Sequence, residues 1–188
     1  MPRSSRLPFL IALIAIAGIL SSGCTLPGMT PSGGGGGVTD ITVYKEGYSS
    51  LDEAMASFHR VEQEQFPDLA GMEITQVMGV RVSSEGKART WTLGFRGLNS
   101  TKVLEYHAGD WTRLDLDLPL PDQAIRLDQV LSPDRLYATQ KARIKEVLDR
   151  QGTTESDLLL AGDVYTLTVP STSGTSVLRF DARTGAVK

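Results

Sequence analysis

Apolar and polar positions change their period along this chain in an order that occurs twice. After Ser50 the apolar residues fall at Leu51, Ala54, Met55, Phe58 and Val61, the spacing of a helix with one buried stripe. Ser50-Leu51-Asp52-Glu53 reads as a capping box: the Ser50 hydroxyl takes the Glu53 N–H and the Glu53 carboxylate reaches back. Phe66-Pro67 ends the helix, because proline disfavours helical backbone in the residue before it. The period then drops to two. Residues 74–82, 88–95, 102–106 and 111–116 read as strands, with turns at Ser84-Glu85-Gly86 and Ala108-Gly109-Asp110, and they predict an antiparallel meander. Leu118-Pro119-Leu120-Pro121-Asp122 interrupts it.

The same order then returns. Ser132-Pro133 predicts an N-cap followed by proline at the first helical position. Leu136, Tyr137, Ile144, Val147 and Leu148 mark the buried side of one helix, and Gly152 is its stop. Strands are predicted at 158–161, 165–169 and 176–180, with a short one at 186–187. At an offset of 74, Trp91-Thr-Leu-Gly-Phe95 lies on Tyr165-Thr-Leu-Thr-Val169 without a gap. Thr101-Lys-Val-Leu-Glu-Tyr-His-Ala108 likewise lies on Thr175-Ser-Val-Leu-Arg-Phe-Asp-Ala182. Chance alternation accounts for the apolar matches but not for the conserved spacing between them, so a duplication is expected. The predicted class is α+β, two helix-plus-antiparallel-sheet units in tandem, each helix covering one sheet face.

The second unit resembles the PepSY domain. The resemblance rests on Tyr165 opening a strand and on the ending Phe180-Asp181-Ala182-Arg183-Thr184-Gly185-Ala186-Val187, and it covers about residues 123–188. Asp181 can bond the backbone of that turn, and Gly185 can take the positive φ that closes it. The first unit looks like a degenerate copy, with His107-Ala108-Gly109-Asp110-Trp111 in place of the turn. The resemblance implies an exported or membrane-attached, non-catalytic protein, with members linked to protease inhibition or control of envelope proteins.

The N-terminus agrees with export. Arg3 and Arg6 precede an uncharged run over 7–20, and Ser21, Ser22 and Gly23 lead to Cys24, the single cysteine. Basic head, short apolar core and small residues make a secretory signal. At 14 residues the core falls short of the roughly 20 that a spanning helix needs. Leu20-Ser-Ser-Gly-Cys24 resembles the lipobox of prokaryotic lipoproteins, although Ser21 stands where leucine is usual. The resemblance implies lipidation of Cys24, and two acyl chains give stable anchoring. One cysteine in an exported chain has no intramolecular disulfide to form. Gly33 to Gly37 sit in a polar spacer with no Lys-Ser or Lys-Thr after them. They read as a tether, whose sixteen residues reach roughly 20–24 Å. The expected organisation is a signal peptide over 1–23, Cys24 and tether over 24–40, a first unit over 41–122 and a second over 123–188.

Charge and residue inventory narrow the function. Without Arg3 and Arg6 the balance is 17 basic against 22 acidic residues, near −5. No basic stripe is present, which disfavours nucleic acid. His59 and His107 have no zinc spacing. No Gly-x-Ser-x-Gly elbow occurs. Asp110, Asp115 and Asp117 form an acidic patch that reads best as a solvated face, and a calcium-loop motif is absent. No catalytic residue, metal or cofactor is expected. Trp91, Tyr106, Trp111, Tyr165 and Phe180 are the candidate ligand or partner surface, if they do not pack under the helices instead. Two functions remain. One is a membrane-anchored extracytoplasmic module that binds or regulates another envelope protein, with strand addition at a sheet edge as one route. The other is a carrier of lipid or another hydrophobic ligand, a half-barrel with a helix as lid.

Overall fold

A computed structural model describes residues 47–116, 119–172 and 174–188, all inside the compact unit Thr42–Lys188. The expectations for the signal, for Cys24 and for the tether lie outside the described residues, as does Asp117.

The class is α+β. Helix α1 (Leu51–Gln65) starts at the expected capping box. The Ser50 hydroxyl accepts the Glu53 N–H at 3.1 Å, and the Glu53 carboxylate accepts the Ser50 N–H at 2.8 Å. A 3₁₀ turn (Pro67–Leu69) leads into strands β1 (Glu73–Ser83), β2 (Thr90–Arg96), β3 (Thr101–His107) and β4 (Asp110–Leu114). Beyond a connector holding a second 3₁₀ turn (Leu127–Gln129) come α2 (Pro133–Thr139), α3 (Lys141–Gln151), β5 (Glu155–Ala161), β6 (Val164–Ser171) and β7 (Gly174–Asp181).

The structure departs from the sequence reading at four places. The single helix expected after Ser132 is two, because Gln140 leaves helical geometry (φ −102°, ψ 18°) and its side-chain amide donates to the Gly185 carbonyl at 2.9 Å. Strand β4 stops at Leu114, so Asp115 is not in a strand. Ala88 precedes β2, because its backbone pairs both ways with Ser49 at 2.9 and 3.0 Å. Val187 makes an isolated bridge to Phe180.

The seven strands form one antiparallel sheet in the order β4-β3-β2-β1-β5-β6-β7. β1 pairs with β5, so the strands after α1 and those after α3 are continuous. Trp91 pairs with Tyr106 and Leu93 with Leu104 across β2 and β3. Tyr165 pairs with Phe180 and Leu167 with Leu178 across β6 and β7, the same register 74 residues on. The β1–β5 ladder is centred on Met78 opposite Leu159, with Val77 opposite Leu160 and Gly79 opposite Leu158.

The core lies on one sheet face. Leu51, Ala54 and Phe58 of α1, Leu136 and Tyr137 of α2, and Ile144, Val147 and Leu148 of α3 join Trp91, Leu93, Leu104, Leu158, Leu160, Tyr165 and Leu167 in a single buried cluster. Burying each large apolar side chain contributes roughly 1.5–3 kcal/mol, which explains why helical stripes of modest apolarity hold. The opposite face is crossed at one end by the connector. Leu120 packs over Gly94, its carbonyl accepts from Arg96 at 2.9 Å, and Ile125 N–H donates to the Ile74 carbonyl at 2.7 Å.

Candidate functional site

The five aromatic residues put forward from the sequence are core residues. Trp91 and Phe180 are 0% exposed, Tyr165 is 1%, and Tyr106 and Trp111 are each 8%. They fill the space beneath the helices that a carrier would need to keep open. Trp111 meets Phe58 edge-on at 5.4 Å and Tyr106 at 5.1 Å. Burial raises the Tyr165 phenol far above its ordinary value, so it is a neutral donor.

Two of these rings play the same part. Trp91 Nε1 donates to the Ser49 carbonyl at 2.9 Å, and Tyr165 Oη donates to the Leu131 carbonyl at 2.7 Å. Ser49 and Leu131 each stand one residue before a helix N-cap, Ser50 and Ser132. Each ring thus fixes the chain where it turns into a helix, and each acceptor residue also gives its own N–H to an alanine carbonyl, Ala88 or Ala182.

The Asp181–Gly185 turn has the geometry read from its sequence. One Asp181 oxygen accepts from Arg183 N–H at 3.1 Å and from Thr184 N–H and hydroxyl, both at 2.9 Å. Gly185 takes φ +72°. The two Thr184 bonds are the main reason that the Asp181 carboxyl is held below the usual carboxylate range. The turn folds residues 186–188 back along β7, where Asp181 N–H donates to Ala186 and Lys188 N–H to Arg179.

That return leaves the outer edge of β7 half covered. Asp181 N–H and Arg179 C=O point outward, since they bond the tail. Backbone direction alternates with a period of two, so the groups of Val177 and Thr175 point outward as well. Among the described residues none takes a backbone partner there. Val177 is 51% exposed. The opposite edge, β4, has five residues and carries Arg113, paired with Asp68 at 2.5 Å.

A polar cluster that the sequence reading did not single out lies where β1 meets β5. Arg81 occupies a bulge with φ +54°. Its N–H donates to Asp157 at 3.0 Å, and its Nε donates to Glu155 at 2.7 Å. Arg89 Nε lies 3.4 Å from the same carboxylate, with its guanidinium 5.2 Å over the Tyr48 ring. Tyr48 Oη donates to Glu155. Partial burial pushes the Glu155 carboxyl up, but Tyr48, Arg81 and Arg89 outweigh it and leave it below the usual range. Nothing in period-two text marks a bulge, which is why Arg81 reads as an ordinary strand position.

Open clefts border the helices and the β1 bulge among the described residues. One of about 160 Å³ lies between α1 and the connector, lined by Met55, His59, Val130 and Tyr165 among others. Another, of about 240 Å³, is lined by Gly47, Val80, Arg81, Arg89, Thr90, His107 and Ala108. His59 is exposed beside Glu62 at 3.5 Å, and the His107 Nδ1 faces the Thr90 hydroxyl at 3.3 Å. Among the described residues, no three His, Cys, Asp or Glu side chains converge on a metal-sized site, and no helix is long and apolar enough to cross a membrane. Comparison with family models, with curated proteins and with solved structures gives no match.

Proposed function

We propose that this protein is a lipoprotein, held by Cys24 at the extracytoplasmic face of a membrane, whose body binds another envelope protein without catalysing a reaction. The observation that carries the reading is the β7 edge. Its outward backbone groups at Thr175 and Val177 and the exposed Val177 side chain offer a ready template for an extended segment of a partner. The tail at 186–188 already uses the neighbouring positions as an added strand would.

The body is a doubled helix-over-sheet unit, PepSY-like in its second copy. The matched registers of β2–β3 and β6–β7 and the matched tethering of Ser49 and Leu131 support this. A carrier role has less support, because the rings that would line its cavity are packed in the core.

The test is site-specific. A photo-crosslinking residue at Thr175 in the full chain is expected to give one discrete adduct in the membrane fraction. Val177→Pro should abolish it while the fold persists, since proline removes only an outward N–H at an edge strand. Absence of any adduct from Thr175, or an adduct indifferent to Val177→Pro, would refute the binding role. Separately, Cys24→Ser should release the chain from membranes, and retention of that variant would refute the anchor.

A further inference from the structure

The cleft beside Arg81 does not belong to the β7 edge, and its lining is chemically one-sided. Two guanidiniums, an imidazole and the Thr90 hydroxyl line it, and no carboxylate does so among the described residues. Glu155 stands behind the arginines and approaches both through Nε, at 2.7 Å for Arg81 and 3.4 Å for Arg89. Arg89 is held between Glu155 and Tyr48, and Arg81 by Glu155, so both side chains that line the cleft are fixed in orientation. Paired guanidinium edges are suited to bidentate contact with a tetrahedral oxyanion. His107 engages Thr90 through Nδ1, which leaves Nε2 for a ligand.

Backbone conformation adds a second observation. Arg81 (φ +54°) and Ala108 (φ +52°) are the two non-glycine residues in the left-handed region among the described residues, and both line this cleft. The two-residue turn Ala108-Gly109, where both φ values are positive, accounts for Ala108. At the bulge, where glycine or asparagine would sit without strain, the chain keeps an arginine that reaches Glu155 as well as the cleft. Strain kept at a charged residue in a cleft points to a role for the side chain.

We infer that the Arg81–Arg89–Thr90–His107 cleft binds an oxyanion of the phosphate type. At about 240 Å³ the cleft exceeds a bare phosphate, so the group arrives on a larger molecule, either a phospholipid headgroup or a soluble phosphate ester. The inference is independent of the β7 edge and of the anchor.

The test titrates the purified full chain in detergent with inorganic phosphate and with glycerol phosphate at constant ionic strength, following Trp fluorescence and chemical shifts. Saturable binding by the unaltered chain is expected. Arg81→Gly should weaken it at least tenfold while the melting temperature holds or rises, because glycine relieves the bulge. Arg89→Gln should weaken it similarly, and Arg179→Gln, on distant β7, should not. If Arg89→Gln fails to fold, Arg81→Gly and Arg81→Asn decide. A second arm offers vesicles of phosphatidylglycerol and of phosphatidylcholine. Selective binding of the former, competed by phosphate, identifies a headgroup; phosphate binding without vesicle binding identifies a soluble ester. No saturable phosphate binding by the unaltered chain, or equal binding by Arg81→Gly, overturns the site.

Discussion

Residues 48–114 and 131–188 solve the same packing problem with different volumes. In the first stretch the ring that ties down the helix start is Trp91, and its cross-strand neighbour is Gly79. In the second the ring is Tyr165, and its neighbour is Leu160. A Cβ on Gly79 would come within 2.7 Å of the indole, so the larger ring is admitted only where the neighbour has no side chain. The smaller phenol leaves room for leucine. Ring size and neighbour size thus trade against each other across the paired strands, as close packing requires. The stretches also differ in how they start their helices, through a full capping box at Ser50 and through proline after Ser132, whose side chain makes no cap bond. They differ at their ends too, since among the described residues the second alone carries a carboxylate-held turn.

The comparison can be broken or sharpened by substitution. Trp91→Ala and Tyr165→Ala should each cost about 3–5 kcal/mol, as removal of a large buried ring does. Urea midpoints would measure this; a small loss at either position would show that the two rings are not equivalent. Gly79→Ala should cost about 1–3 kcal/mol by overpacking, and much less in a Trp91→Phe background. A double-mutant cycle with no coupling would break the volume exchange. Ser50→Ala should cost about 1 kcal/mol, whereas Ser132→Ala should cost only a few tenths, read from thermal unfolding of the two variants side by side. The smallest effect concerns acid. The lowered Asp181 carboxyl contributes stability that is full above the ordinary carboxylate value and fades as pH falls below about 4 toward its folded value. Asp181→Asn should therefore narrow its stability gap to the unaltered protein as pH drops through that window, seen in urea midpoints between pH 6 and 3.

Much of this was legible in the sequence. The capping box, the Gly152 stop and the strands of both meanders follow from local period and local chemistry, and the structure has them. So does the Asp181–Gly185 turn, whose donors and acceptor lie within five residues. What local pattern does not encode is long-range pairing. The fusion of both meanders through β1 and β5, the bulge at Arg81 and the break at Gln140 each depend on partners far along the chain: Leu159, Glu155 with Asp157, and Gly185. The aromatic residues carried two readings at the sequence level, surface and core, because alternation says which residues share a face but not whether that face is covered. The arginine cleft was missed because its members come from a strand, a loop and a hairpin that only the folded sheet brings together.

The seam between β1 and β5 has a kinetic consequence. Hairpin ladders such as Trp91 with Tyr106 join near neighbours, whereas Met78 meets Leu159 across roughly 80 residues, so loop entropy delays the seam until both meanders exist. Shortening Val77 to alanine should then accelerate unfolding in stopped-flow experiments and leave the refolding rate nearly unchanged. A comparable slowing of refolding would mean that the two meanders nucleate together across the seam.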